Sequence, residues 1–247
     1  FIANWSQIML NGRRHFMDLE NRNSGRVSAP AVDMPVLDDA GILGLFHSAK
    51  SAHYPAKDIV YGEGSEANAV IVIRAGMIKL ISHLPNGRAR IVRVHSRGAW
   101  LGLGGVLGQP YEHTAIAVED TDVYRIPVHE IMRIKSDNPN LYCRLLECWF
   151  DYLQEADLWI AEFSTGSVKA RVARLVNFLS EIEDTVSSGE VKLLTCEEMA
   201  EILGATPESV SRVLAEFKRS NILFPSKFHA DASYQRNTQA LNTIAQR

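Results

Sequence analysis

Glu208, Ser211 and Arg212 stand at i, i+3 and i+4 in the segment PESVSRVLAEFKR, so on a helix they share one face. Their chemistry suits base recognition. Arg can make paired bonds to a guanine edge, and Glu can accept from a cytosine amino group. A helix presenting them must begin just before Glu208. Thr206 is a good N-cap with Ser209 in the first turn, and Pro207 sits where a missing N–H costs nothing. Val210, Val213, Leu214 and Phe217 give this helix its buried side. The residues before it supply a partner. Thr195 and Glu198 have capping-box spacing, which satisfies orphan N–H groups at a helix start. Met199, Ala200, Ile202 and Leu203 form an apolar stripe, and Gly204 ends it, because Gly accepts the left-handed conformation a helix stop needs. Two short helices joined by a tight turn over residues 195–219 match a helix-turn-helix, whose second helix enters the DNA major groove. Thr195, at a helix N-terminus, is placed to meet a phosphate through its hydroxyl and backbone N–H. The alternative is an ordinary helical hairpin with a surface Glu208–Arg212 ion pair.

The 247 residues suit two modest domains. Composition is that of a soluble globular protein, 46% hydrophobic and 22% charged. With a net charge of −3, no overall basic field advertises nucleic acid. Residues 166–247 carry ten Lys/Arg and ten Asp/Glu, so DNA binding must rest on the motif rather than on charge. Cys143, Cys148 and Cys196 have no metal spacing and cannot all pair, which fits a reduced, cytoplasmic chain. No apolar run is long enough to span a membrane. The chain begins with Phe1 rather than Met, so an upstream or targeting segment stays open.

Residues 1–36 read as an arm, with Trp5, Ile8, Met9 and Phe16 marking a short amphipathic helix and a polar linker after it. Residues 37–51 read as a helix. From His53 the period becomes two: HYPAKDIVYGEG, AVIVIRAGMIKLISHL, ARIVRVHSRGAW and HTAIAVEDTDVYRIP read as short strands separated by Gly-bearing turns. Many short strands at regular spacing imply an antiparallel roll or sandwich, and Asn86-Gly87 is a hairpin signal.

These strands resemble the β-roll sensor domain of the Crp/Fnr family of bacterial transcription regulators. The matching words are YPAKDIVYGEG, IRAGMIKL, PNGRARIVRV and the turn from Gly98 to Gly102. The E-S-V-S-R at 208–212 is similar to that family's recognition helix; Pro207 stands where the cyclic-AMP receptor branch has an Arg, so the set resembles the Fnr branch, which implies a half-site of the TTGA kind. The resemblance covers about residues 37–224 and implies an α+β chain. An N-terminal β-roll, a jelly roll of the cyclic-nucleotide-binding kind, spans 37–137. A long dimerisation helix follows at 138–165, then a C-terminal winged helix-turn-helix at 166–247.

The resemblance also places an effector pocket near Leu101, Leu103, Val106, Tyr111 and Glu112. Where cyclic-AMP-binding relatives hold ribose with Glu and phosphate with an Arg-Ser pair, this chain has Leu103, Tyr111 and Glu112. Without a cation there, a buried phosphate is costly, so cyclic AMP in the usual mode is disfavoured. The stretch LGLGGVLGQPYEHTAIAVEDTDVYRIP looks more like the Fnr branch, but no cysteine precedes Cys143, so that branch's iron–sulfur cluster is not carried over. A few relatives use haem, for which His95 and His113 are the nearest conceivable ligands. A cyclic nucleotide in an unusual pose, another small-molecule effector, or a pocket packed as plain core stays open. No cofactor, metal or catalytic residue is expected.

Residues 140–164 read as one long helix. Tyr142, Leu146, Trp149, Leu153, Ala156, Ile160 and Phe163 alternate steps of four and three, a coiled-coil seam. Leu141, Leu145, Cys148, Tyr152 and Trp159 form a second stripe facing the roll. Two apolar faces need two partners. Following the family, the second is the same helix of another subunit, and the alternative is a buried helix in a monomer. Residues 164–167 look like a hinge, 168–182 an amphipathic helix, and SSGEVKLL a strand. NILFPSKF should open a wing, yet HADASYQRNTQALNTIAQR lacks the usual Gly turn and Ile/Val strand, which puts contacts from Ser226 or Lys227 in doubt. The expected protein is a homodimeric regulator that binds double-stranded DNA at a palindromic promoter site and works with RNA polymerase. A ligand-binding protein without DNA affinity is the main rival. No nucleotide-binding or hydrolase motif favours an enzyme.

Overall fold

Strand β3 (Ala69–Ala75) is apolar on both faces, so it must be covered twice. The computed structural model, which describes residues 46–85, 87–182, 190–225 and 233–246, shows how. Ile71 and Ile73 point between two sheets, while Val70 and Val72 point outward under helices. The first sheet has the order β1-β8-β3-β6 and the second β2-β7-β4-β5. Their strands are β1 (Lys50–Tyr54), β2 (Ile59–Tyr61), β4 (Ile78–His83), β5 (Ala89–His95), β6 (Trp100–Leu101), β7 (Thr114–Ala117) and β8 (Thr121–Pro127). All pairings are antiparallel. Gly87, with φ +77°, donates to the Leu84 carbonyl in the β4–β5 hairpin. The roll thus follows the period-two reading closely.

The helix expected over 37–51 lies mostly outside the described residues, as does the arm 1–36. Its last part departs from the expectation, since Lys50 and Ser51 open β1 and pair with β8. Helix α1 (Val128–Asp137), which sequence reasoning did not single out, follows β8 directly. Helix α2 (Pro139–Ser164) is the long helix. The Asn138 side chain caps it by accepting from the Leu141 N–H at 3.2 Å. Leu141 and Leu145 join Val70, Val72, Tyr124 and Ile126 in the core outside the first sheet.

The C-terminal part is built on α3 (Val168–Ile182), whose Val172, Ala173, Val176 and Leu179 are buried. Helices α4 (Cys196–Leu203) and α5 (Pro207–Arg219) pack on it. A three-stranded sheet of order β10-β11-β9 closes the unit, from β9 (Glu190–Lys192), β10 (Leu223–Pro225) and β11 (Ser233–Arg236). The doubted hairpin is therefore present, with Leu223 opposite Arg236. Its second strand, SYQR, is polar, yet it pairs on both sides, with β10 and β9, and Tyr234 packs against the core. Lys218 donates to Tyr234 Oη at 2.8 Å, and Arg236 donates to Asn177 Oδ1 at 3.3 Å. Ser226 and Lys227 lie outside the described residues. Helix α6 (Thr238–Ala245) then folds back, burying Leu241 against α3. At the hinge, Arg174 donates to the carbonyls of Glu162 (2.8 Å) and Thr165 (2.9 Å), a cation on the open C-terminal carbonyls of α2.

Candidate nucleic-acid interface

The capping box at α4 is complete. Thr195 Oγ1 accepts from the Glu198 N–H at 3.2 Å, and Glu198 Oε2 accepts from the Thr195 N–H at 3.0 Å. The Thr195 hydroxyl also lies 3.0 Å from Glu198 Oε2. Both Thr195 groups expected to meet a phosphate are thus engaged within the chain. The next amides of the first turn are the donors a helix start leaves open. Gly204 ends α4 at φ 58°, its N–H donating to Ala200. Thr206 caps α5 by accepting from the Ser209 N–H at 3.3 Å, with the two hydroxyls 3.1 Å apart.

Val210, Leu214 and Phe217 turn α5 onto α3 and α4. That rotation leaves Glu208, Ser211 and Arg212 exposed on one side, with Thr195 and Thr206 also exposed. Arg212 has no ion-pair partner among the described residues. Its carboxylate neighbour is occupied elsewhere: the Glu208 carboxyl is held below its usual range by its own backbone N–H, then by the Thr206 hydroxyl. No Glu208–Arg212 ion pair forms among the described residues. Glu198, one helix earlier, is also held low. Burial works against this and is outweighed by bonds from Lys79 and from Thr195.

The expected effector residues fall in two groups. Leu101 and Leu103 are buried in core, Val106 packs beside it, and Glu112 is exposed. Tyr111 is 4% exposed and lies flat on Tyr61, ring centroids 3.8 Å apart and 11° from parallel. Its hydroxyl donates to the Ala69 carbonyl at 2.6 Å. Gly102, at φ +77°, lets the ring press on the backbone, since a Cβ there would sit 2.6 Å from Tyr111 Cε1. Burial, then the neighbouring Tyr111, pushes the Tyr61 phenol up. The two rings thus pack on each other within the core of the roll. Burial pushes the Tyr111 phenol up as well, against the pull of Arg125, a residue that sequence reasoning missed and that donates to Tyr54 Oη at 2.9 Å.

His95 is buried edge-on to Tyr152 of α2, with ring centroids 5.6 Å apart. Burial, then the nearby Arg93 and His113, lowers its pKa to about 3. Among the described residues no group of three His, Cys, Asp or Glu could hold a metal. None of their helices is long and apolar enough to cross a membrane.

On α2, Leu146, Leu153 and Ile160 are 46%, 60% and 61% exposed. Phe150, missed because it breaks the strict four-three step, is 59% exposed beside them. Ala156 is half-buried. Tyr142 and Trp149 are half-buried against the roll's outer core. Phe163 corrects the seam: it is 1% exposed and packs edge-on to Trp159 and Phe178. At the end of α2 the helix passes under α3, which claims that position.

A model described as the cyclic nucleotide-binding domain matches residues 51–138, and one described as the Crp-like helix-turn-helix domain matches residues 173–227. The chain is similar to "Transcriptional regulator LdrP" of Thermus thermophilus, 26% identical over 176 residues that cover 69% of this chain and 85% of that protein. It is also similar to "Fumarate and nitrate reduction regulatory protein" of Yersinia pestis, 26% identical over 167 residues, 66% and 67% of the two chains. Among solved structures, FixK2 from Bradyrhizobium japonicum superposes with a TM-score of 0.71 at 23% identity, over 79% of this chain and 96% of that one.

Proposed function

We propose, from the premise that this chain belongs to the Crp/Fnr family of DNA-binding transcription regulators, that it acts as a homodimer reading a palindromic site of the TTGA kind. The observation that carries this is the exposed face of α5, where Glu208, Ser211 and Arg212 stand together and Arg212 is uncommitted. Arg212 would take the guanine and Glu208 the bases of the opposite strand. Thr195, Thr206 and Ser209 would lie along the phosphate backbone. The dimer would form along Leu146, Phe150, Leu153 and Ile160, apolar side chains that the other described residues leave exposed. Work would divide among a sensor over 37–137, a dimer helix over 138–165 and a DNA-binding unit over 166–247. RNA polymerase would be met at the promoter, and no enzymatic step is assigned. Selection from a random DNA pool tests the reading. A two-fold TTGA-type motif is expected, and its absence would overturn the assignment.

A second reading concerns the sensor. The Tyr61–Tyr111 stack, beside an Arg125 already bonded to Tyr54, supports a roll that takes no cyclic nucleotide in the usual seat. Calorimetric titration with cyclic AMP should give no binding heat. A micromolar complex inside the roll would refute this.

A further inference from the structure

The outer face of the second sheet is not free. Met77, Ile81, Ile91 and Val94 of the roll share one buried core with Met199, Ile202 and Leu203 of α4. Polar contacts border this seam. Lys79 Nζ on β4 lies 2.7 Å from Glu198 Oε1, with side chains 15% and 18% exposed. Lys192 on β9 meets Glu119 of the β7–β8 turn at 2.6 Å. Arg90 on β5 reaches the turn between α4 and α5, where a Cβ on Gly204 would sit 3.1 Å from its guanidinium.

Glu198 is the junction. One carboxylate oxygen takes the Lys79 ammonium, and the other takes the Thr195 N–H. The sensor sheet is therefore tied to the first turn of α4. The docked arrangement leaves Glu208, Ser211 and Arg212 exposed, so it is compatible with DNA reading. A flexible hinge alone, with Gly166 at φ +80°, would let the helix-turn-helix swing. Docking removes that freedom.

We infer that Lys79 is a positioning residue for DNA recognition: through Glu198 it fixes the helix-turn-helix against its own sensor sheet, and so sets the separation of the two half-sites. The inference rests on the proposed dimeric reading. A dimer with one rigid pose accepts one half-site separation. Reversing the charge at Lys79 sets two carboxylates against each other in a part-buried place. The seam then opens, while the reading face of α5, which Lys79 does not touch, keeps its preferences.

The experiment is DNA selection followed by binding to a series of sites whose half-site separation is varied by single base pairs. Wild type should prefer one separation. Lys79→Glu should keep the same half-site letters, lose at least 10-fold affinity at the preferred separation, and flatten the preference across neighbours. Lys79→Met, which keeps the apolar stem, should shift the same way by less and guards against a fold-damaged charge reversal. Glu198→Gln should resemble Lys79→Met. If Lys79→Glu and Lys79→Met both keep the wild-type separation preference, the inference is overturned. If wild type itself yields no paired motif, the dimeric reading fails first and takes this inference with it.

Discussion

Arg212 is exposed and unpaired by any carboxylate among the described residues, so replacing it disturbs little besides recognition. Arg212→Ala should cost about 1–3 kcal/mol of discrimination in each half-site, leaving weak, salt-sensitive binding to any DNA. Competition between specific and random duplexes at fixed salt reads this directly; an unchanged preference would reassign the contact. Thr195→Ala acts differently. It removes a cap worth about 1 kcal/mol and should weaken binding to all sequences alike. Inside the roll, Gly102→Ala would put a side chain at φ +77° and into the Tyr111 ring. A loss of about 1–3 kcal/mol is expected from backbone strain alone, and a thermal melt at wild-type temperature would argue against the packed stack.

At the scale of elements, α2 does two jobs with two faces. Its inner residues cover the roll, while Leu146, Phe150, Leu153 and Ile160 face outward. Leu153→Asp places a charge in the middle of that outer stripe. Sedimentation should show a monomer, and DNA affinity should fall with it; an intact dimer would remove the stripe from the interface. The contact between β5 and α2 also sets a pH dependence. His95 has an ordinary value of 6.5 that burial and nearby cations lower to about 3. The unfolded chain then binds a proton that the folded one refuses. Stability from this group is complete above about pH 6.5 and declines as pH falls toward 3, at up to about 1.4 kcal/mol per pH unit. Chemical denaturation between pH 7 and 4 should show that slope reduced by about one proton in His95→Gln. An identical slope would mean that other groups carry it.

Across the whole molecule, the core shared by the second sheet, the end of α2 and the helix-turn-helix predicts cooperative behaviour. Sensor and DNA-binding unit should melt in one calorimetric transition. Ile81→Asp puts a charge into the seam, where Ile81 is 7% exposed, and should split the melt into two. One sharp transition in that variant would show that the seam does not couple the units.

Local signals in the sequence settled a good deal. Thr195, Glu198, Gly204, Thr206 and Pro207 each satisfy a backbone demand that depends on neighbours within a turn or two, so caps, stop and helix start were legible without a fold. The alternation of β3 to β8 and the length of α2 were legible for the same reason. The tertiary structure decided what periodicity cannot carry. Phe163 satisfies the seam spacing, yet α3 covers it. Phe150 breaks the spacing, yet it stays 59% exposed among the described residues. The polar strand SYQR is a strand because β10 and β9 pair with its backbone on both sides. Tyr111 is buried because Tyr61, distant in sequence, offers a parallel ring. Lys79 reads as a solvated strand residue until the fold sets Glu198 beside it across 119 positions of chain. Such pairings depend on how separate elements meet, which only packing of the whole chain determines.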